Sequence, residues 1–162
     1  MYSRSANSTP ARPSPNNNSQ IYFSTRHETH YAFTNVSGHP ISYRNALYLT
    51  AEHLYQALKF IEHQPAIAEL VMNSSEPQRV AHRYNERVRP DWPQQHLHML
   101  ETVLILKFSQ YPGLQMELLA TGEAQLIQLG SDQYWSQLEN GTGRNEFGNV
   151  LMRVRSILRS RI

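Results

Sequence analysis

"TAEHLYQALKF", residues 50 to 60, sets the period of the chain and poses its main question. Leu54, Leu58 and Ile61 recur at the spacing of one buried helical stripe, and Thr50 stands where an N-cap belongs. At about 100° per residue, Glu52, Gln56, Lys59 and His63 share a sector roughly 60° wide on the other side. A carboxylate, an amide and an ammonium in that order describe an ordinary wetted helix back. They equally describe one wall of a reaction site. Tyr55 and Phe60 hem the row with aromatics, unlike a plain Lys/Glu surface, but periodicity alone does not separate the two readings.

On either side of this helix the pattern changes. "IYF" (21–23), "PISY" (40–43) and "ALYL" (46–49) read as short strands, the last two as a hairpin through Arg44 and Asn45. Residues 66–72 predict a short helix, and Ser75 is placed to cap another running through Val80. Asp91 followed by Gln94 forms a capping pattern, with Pro93 tolerated in the first turn. The long helix it opens ends near Ser109. Leu97, Leu100, Val103, Leu104, Ile105, Leu106 and Phe108 almost encircle that helix, so it should be central. A further helix spans about 114–120 and stops at Gly122, and "QLIQLG" reads as a strand. A polar loop from Gly130 to Arg144 leads to Asn145 and a last helix with Phe147, Val150, Leu151, Val154, Ile157 and Leu158 inward. The expectation is a mainly α, single-domain fold with a small β element near the N-terminus. Residues 1–19, rich in Ser, Asn and Pro, read as a disordered tail, and 20–162 as the domain.

Composition narrows the function. The 162 residues are 40% hydrophobic and 17% charged, with a formal net charge of +2. No run approaches the roughly 18 apolar residues of a membrane helix, and the first twenty residues lack a secretory h-region. That predicts a cytoplasmic protein, with the nucleus as the alternative, and no membrane partner. The chain has no cysteine, which removes disulfides, thiol nucleophiles and thiolate metal sites together. Eight histidines include His96-x-His98 but no HExxH, so no metal site is expected, and no cofactor.

Two other stretches carry chemistry. "SDQYWSQLENGTGRNEFGN" (131–149) places Gly141 and Gly143 just before a helix N-terminus, where backbone N–H groups and the helix dipole favour an anion. Its spacing is not that of a dinucleotide loop, and an ordinary well-capped loop fits as well. "HRYNERVRPDW" (82–92) sets Arg83, Arg87 and Arg89 ahead of Trp92. Guanidinium groups beside an indole suit a phosphorylated ligand with a planar ring, or a single-stranded nucleic acid. The bland alternative is a basic loop anchored by its tryptophan. Arg153, Arg155, Arg159 and Arg161 on the last helix would be either a solvated face or a nucleic-acid surface.

Taken together, "FTNVSGHPI", "TAEHLYQALKF", "RPDW" with "ML…LKF", and "SDQYW…GTGRNEFGNVLMRVR" resemble the NADAR family, also called YbiA-like. Four blocks in order cover about Ile21 to Leu158. The resemblance implies a mainly helical fold and N-glycosidase activity. Family members split phosphorylated ribosylamine intermediates of riboflavin synthesis, or remove ADP-ribose from modified guanine in nucleic acid. By position, the resemblance makes Glu52, Trp92 and Asp132 the expected catalytic residues. Asn35, Gln56, Lys59, Arg83, Arg89, Trp135, Gly143 and Asn145 are expected around the substrate, with no metal. Glu52 and Asp132 would be two carboxylates meeting across one cleft. The partner implied is a phosphorylated ribose-containing substrate, ADP-ribose or a ribosylamine phosphate, free or carried on nucleic acid. The same cleft in a non-catalytic member would bind ADP-ribose or a nucleotide without cutting it. The family's glycine after the second tryptophan is Ser136 here, nearby glycines are Leu138 and Glu139, and a Gly-Arg pair is His82-Arg83. These changes are expected to crowd the rim of the pocket.

Overall fold

Arg44 and Asn45 turn the chain back with φ of 46° and 64°, the left-handed pair that a two-residue hairpin turn demands. In the computed structural model, which describes residues 19–25 and 29–162, this turn joins β2 (Ile41–Tyr43) to β3 (Ala46–Tyr48) in antiparallel register. The expected tail therefore lies, up to residue 18, outside the described residues. The hairpin feeds α1 (Ala51–Ala57), and the Thr50 hydroxyl accepts the His53 N–H at 3.3 Å as an N-cap should.

α1 is shorter than its sequence pattern. Beyond Ala57 the chain tightens, with Lys59 N–H bonding the Gln56 carbonyl and Phe60 N–H bonding the Ala57 carbonyl, both three residues back. Helical spacing out to His63 is thus not kept. Leu54, Tyr55, Ala57, Leu58 and Phe60 are all buried, so the element is central rather than a surface helix. Each large apolar side chain there contributes about 1.5–3 kcal/mol by leaving water. α2 (Pro65–Met72) and α3 (Pro77–Arg83), each begun by a proline, pack on α1, as does α4 (Trp92–Gln110).

α4 is the long helix expected, with Leu100, Val103, Leu104 and Phe108 fully buried and Leu97, Ile105 and Leu106 half-buried around them. Its start differs from the expected capping box. The Asp91 carboxylate bonds no helix N–H, because Arg89 takes both its oxygens at 2.6 and 2.7 Å. α5 (Pro112–Ala120) ends before Gly122 at φ 60°, and α6 (Glu146–Arg159) closes the core against α4 and α5.

The strand at 125–128, β4, pairs in parallel with β1 (Gln20–Phe23), Gln20 opposite Gln125. This two-stranded layer lies on α6. Gly148 permits the contact, since a Cβ there would fall 2.1 Å from the Leu126 carbonyl oxygen. The described residues thus form six α-helices around α1 and α4, with two small β pairs at the margin. No described helix is long and apolar enough to cross a membrane.

Candidate active site

Gln56 is only 4% exposed, so the polar row of α1 is not a wetted back. Its side chain donates through Nε2 to Glu52 Oε1 at 2.7 Å, while Asn35 Nδ2 donates to Glu52 Oε2 at 2.9 Å. The backbone adds a third tie, Glu52 N–H to the Asn35 carbonyl at 2.9 Å. Both carboxylate oxygens are therefore fixed by amide donors, an arrangement that complements the anion. The arrangement carries a cost: Asn35 Oδ1 and Gln56 Oε1 are buried without a donor among the described residues. Each such oxygen costs on the order of 1–3 kcal/mol.

Gln56 and Lys59 open onto a cleft of about 670 Å³ walled by Tyr55, Trp92, His96 and Trp135. Trp92, at the first position of α4, holds its ring 5.2 Å from Tyr55 and 5.5 Å from Lys59 Nζ. Trp135 meets Tyr55 edge-on at 6.1 Å and His96 at 6.0 Å. Two indoles from distant segments thus flank one phenol. Burial pulls the Lys59 ammonium below its ordinary pKa, and the neighbouring Glu52 charge pulls it back. Tyr55 is pushed up, by burial first and then by Glu52. Glu52 itself does not line the cleft; it is half-buried and stands one hydrogen bond behind Gln56.

The loop before α6 has a different use from the one expected. The first N–H groups of the helix, which would bind an anion, are already bonded. Asn145 N–H reaches the Ser136 carbonyl at 3.3 Å, Glu146 that of Tyr134 at 3.1 Å, and Phe147 that of Trp135 at 3.2 Å. Asn145 spends its side chain on β4, accepting from Gln128 N–H and donating to the Leu126 carbonyl, each at 2.9 Å. Gly143, at φ 111°, lies so close to Ser136 that a Cβ would sit 2.3 Å from its carbonyl oxygen. Gly143 and Asn145 therefore clasp the Trp135 segment and do not face the cleft. Asp132 belongs to the same clasp. It is exposed, and its Oδ1 accepts the N–H groups of Tyr134 and Trp135 at 2.9 and 3.0 Å. Through that oxygen Asp132 shapes the turn that carries Trp135.

The expected arginines are not in the cleft either. Arg83 is exposed on α3, and Arg89 is held by Asp91. Their place at the rim is taken by Arg79, His82, Gln78 and Asn85. Spacing on α3 was a usable signal, because 78 and 82 share a face. His96 was signalled likewise, four residues after Trp92 on α4; its Nε2 lies 2.6 Å from the Tyr134 hydroxyl. Ser136, Leu138 and Glu139 do not crowd this rim. Ser136 Oγ accepts from Gln128 Nε2, and Leu138 and Glu139 lie in a separate groove beside Tyr22. Among the described residues no three His, Asp or Glu side chains converge as a metal site requires.

A family profile described as the NADAR domain matches residues 15–159. The chain belongs to the NADAR family. N-glycosidase YbiA of Escherichia coli (strain K12) is 30% identical over 142 residues, which cover 85% of this NADAR chain and 88% of that protein. The NMR structure of YbiA superposes with a TM-score of 0.74, covering 89% of this chain and 87% of the other. A riboflavin biosynthesis protein of Vibrio vulnificus is 31% identical over 142 residues, 85% of this chain but only 38% of that longer protein. These NADAR relatives thus include a named N-glycosidase, a hydrolase of N-glycosyl compounds.

The arginines of α6 are spent within the NADAR domain. Arg153 pairs with Glu101 at 3.1 Å, Arg159 with Glu123, and buried Arg155 bonds Thr121 Oγ1 and the Ala124 carbonyl at 2.8 and 2.9 Å. Arg161, past the end of α6, is exposed.

Proposed function

We propose that this NADAR member, a hydrolase acting on N-glycosyl compounds, cleaves the N-glycosidic bond of an ADP-ribosyl or phosphoribosyl-type substrate. The observation that carries the reading is the Glu52 carboxylate, clamped by Asn35 and Gln56 at the back of an aromatic cleft that also holds Lys59. ADP-ribosylated guanine and a ribosylamine phosphate of riboflavin synthesis both fit this chemistry; the name of the Vibrio relative favours the second.

In such a reaction the bond between C1′ and the base nitrogen breaks with its electron pair leaving on nitrogen. Positive charge builds on C1′ and O4′, and a fixed carboxylate stabilises it without reorganising. Water adds to C1′ and surrenders a proton, for which Glu52 is the acceptor at hand. The indoles of Trp92 and Trp135 wall the planar leaving group. Lys59, with Arg79 at the rim, faces the phosphate. Asp132 acts on the substrate only through Trp135, whose backbone it holds. Glu52 standing behind Gln56 is the one feature that favours a second reading, a module that binds ADP-ribose without cutting it.

The test offers the chain ADP-ribosylated guanine oligonucleotide, NAD and ribosylamine phosphate, and follows products by mass spectrometry. Turnover of one compound is expected, falling about 10²–10³-fold in Glu52→Gln with affinity preserved. Tight binding with no product from the wild-type chain would establish the binding module instead.

A further inference from the structure

We propose that Lys107 is a positioning residue for Glu52, acting through the turn at residues 31–37. Lys107 lies on the core face of α4 and is 0% exposed. No carboxylate pairs with its ammonium among the described residues. Its three protons go instead to three oxygens of one turn: the Ala32 carbonyl at 2.6 Å, the Thr34 carbonyl at 2.7 Å and Ser37 Oγ at 2.7 Å. An ammonium has three donors and no acceptor, so in the protonated form the match is complete.

Asn35 sits inside that turn. Its carbonyl takes the Glu52 N–H and its amide holds Glu52 Oε2, so the same few residues that Lys107 gathers also fix one side of the carboxylate. The other side is held by Gln56, from α1 itself, and does not depend on the turn. Without the ammonium, the converging oxygens of Ala32, Thr34 and Ser37 lose their shared donor and the turn has reason to open. Asn35 moves with it, and Glu52 loses one of its two amide clamps while keeping the other. A methionine, of similar length and apolar, would fill the space but gather nothing.

This inference rests on Glu52 being the catalytic carboxylate, yet its test does not need turnover. In wild-type, Lys107→Met and Ser37→Ala chains, side-chain amide hydrogen exchange of Asn35 and Gln56 is followed by NMR. We expect the Asn35 amide to exchange at least about tenfold faster in Lys107→Met, and faster by a smaller factor in Ser37→Ala. The Gln56 amide is expected to keep its wild-type rate, and the Glu52 carboxyl carbon to shift. For a compound that the wild-type chain turns over, kcat should fall by about tenfold or more with KM held within about twofold, as a displaced catalytic group requires. Unchanged Asn35 exchange in either folded variant overturns the proposal. So does Gln56 exchanging as fast as Asn35, which would mean general loosening. If Lys107→Met does not fold, Ser37→Ala decides alone. Full activity in Glu52→Gln would instead defeat the catalytic reading and leave the exchange result standing.

Discussion

The α1 row and the loop before α6 both carry a carboxylate, polar side chains and a neighbouring tryptophan, yet the fold uses them in opposite ways. On α1, the polar groups are spent on each other and converge on Glu52, which keeps its carboxylate beside the cleft. In the loop, Asp132, Gly143 and Asn145 are spent on backbone, and what they deliver to the cleft is the indole of Trp135. On α1 the donors to the carboxylate are side-chain amides, whereas in the loop they are backbone N–H groups of the turn that carries Trp135. Asp132 spends its Oδ1 on two such N–H groups.

The contrast can be broken or sharpened by substitution. Asn145→Ala carries the largest structural effect expected of the loop, because two bonds to β4 go at once. Denaturant melts should show a loss of about 1–3 kcal/mol; an unchanged midpoint would mean that the clasp is not tied through Asn145. Asp132→Ala should cost about tenfold in turnover by freeing Trp135, whereas Asp132→Asn keeps an oxygen for the same N–H groups and should stay within about threefold. Arg83→Ala and Arg89→Ala should leave substrate affinity within about twofold, since neither side chain reaches the cleft. A tenfold loss in either would return the basic loop to the binding site.

A fourth prediction concerns pH. Burial pushes the Lys107 ammonium down to about 7 from 10.5. Between those values the unfolded chain binds more protons than the folded one, so this group's contribution to stability rises with pH across the window and is lost as pH falls to 7. The difference in unfolding free energy between wild type and Lys107→Met should therefore move in favour of the wild type from pH 7 to 9. A pH-independent difference would mean that Lys107 titrates alike in both states.

Local chemistry made much of this fold legible. The Arg44–Asn45 turn, the Thr50 cap, the prolines opening helices and the apolar stripe of α6 each act over a few residues. What stayed hidden is non-local. Nothing in "IYF" or "QLIQLG" states that they pair in parallel, because the pairing joins residues 105 positions apart. Lys107 interrupts an apolar run, and its partners lie 70 to 75 positions away. The site was half legible for the same reason. Glu52, Gln56 and Lys59 announce themselves by helical spacing, and Trp92 and Trp135 by the arginines and the glycine loop beside them. Whether Asp132 faces a ligand or a backbone N–H depends on a turn that spacing does not reveal.

The most direct trial compares Glu52→Gln and Asp132→Asn side by side for turnover and for affinity on the same compound. The one-carboxylate account predicts that Glu52→Gln loses about 10²–10³-fold in turnover while binding holds, and that Asp132→Asn stays within about threefold. Equal collapse of both would contradict it and restore a pair of acids. Equal indifference would remove Glu52 from the chemistry altogether.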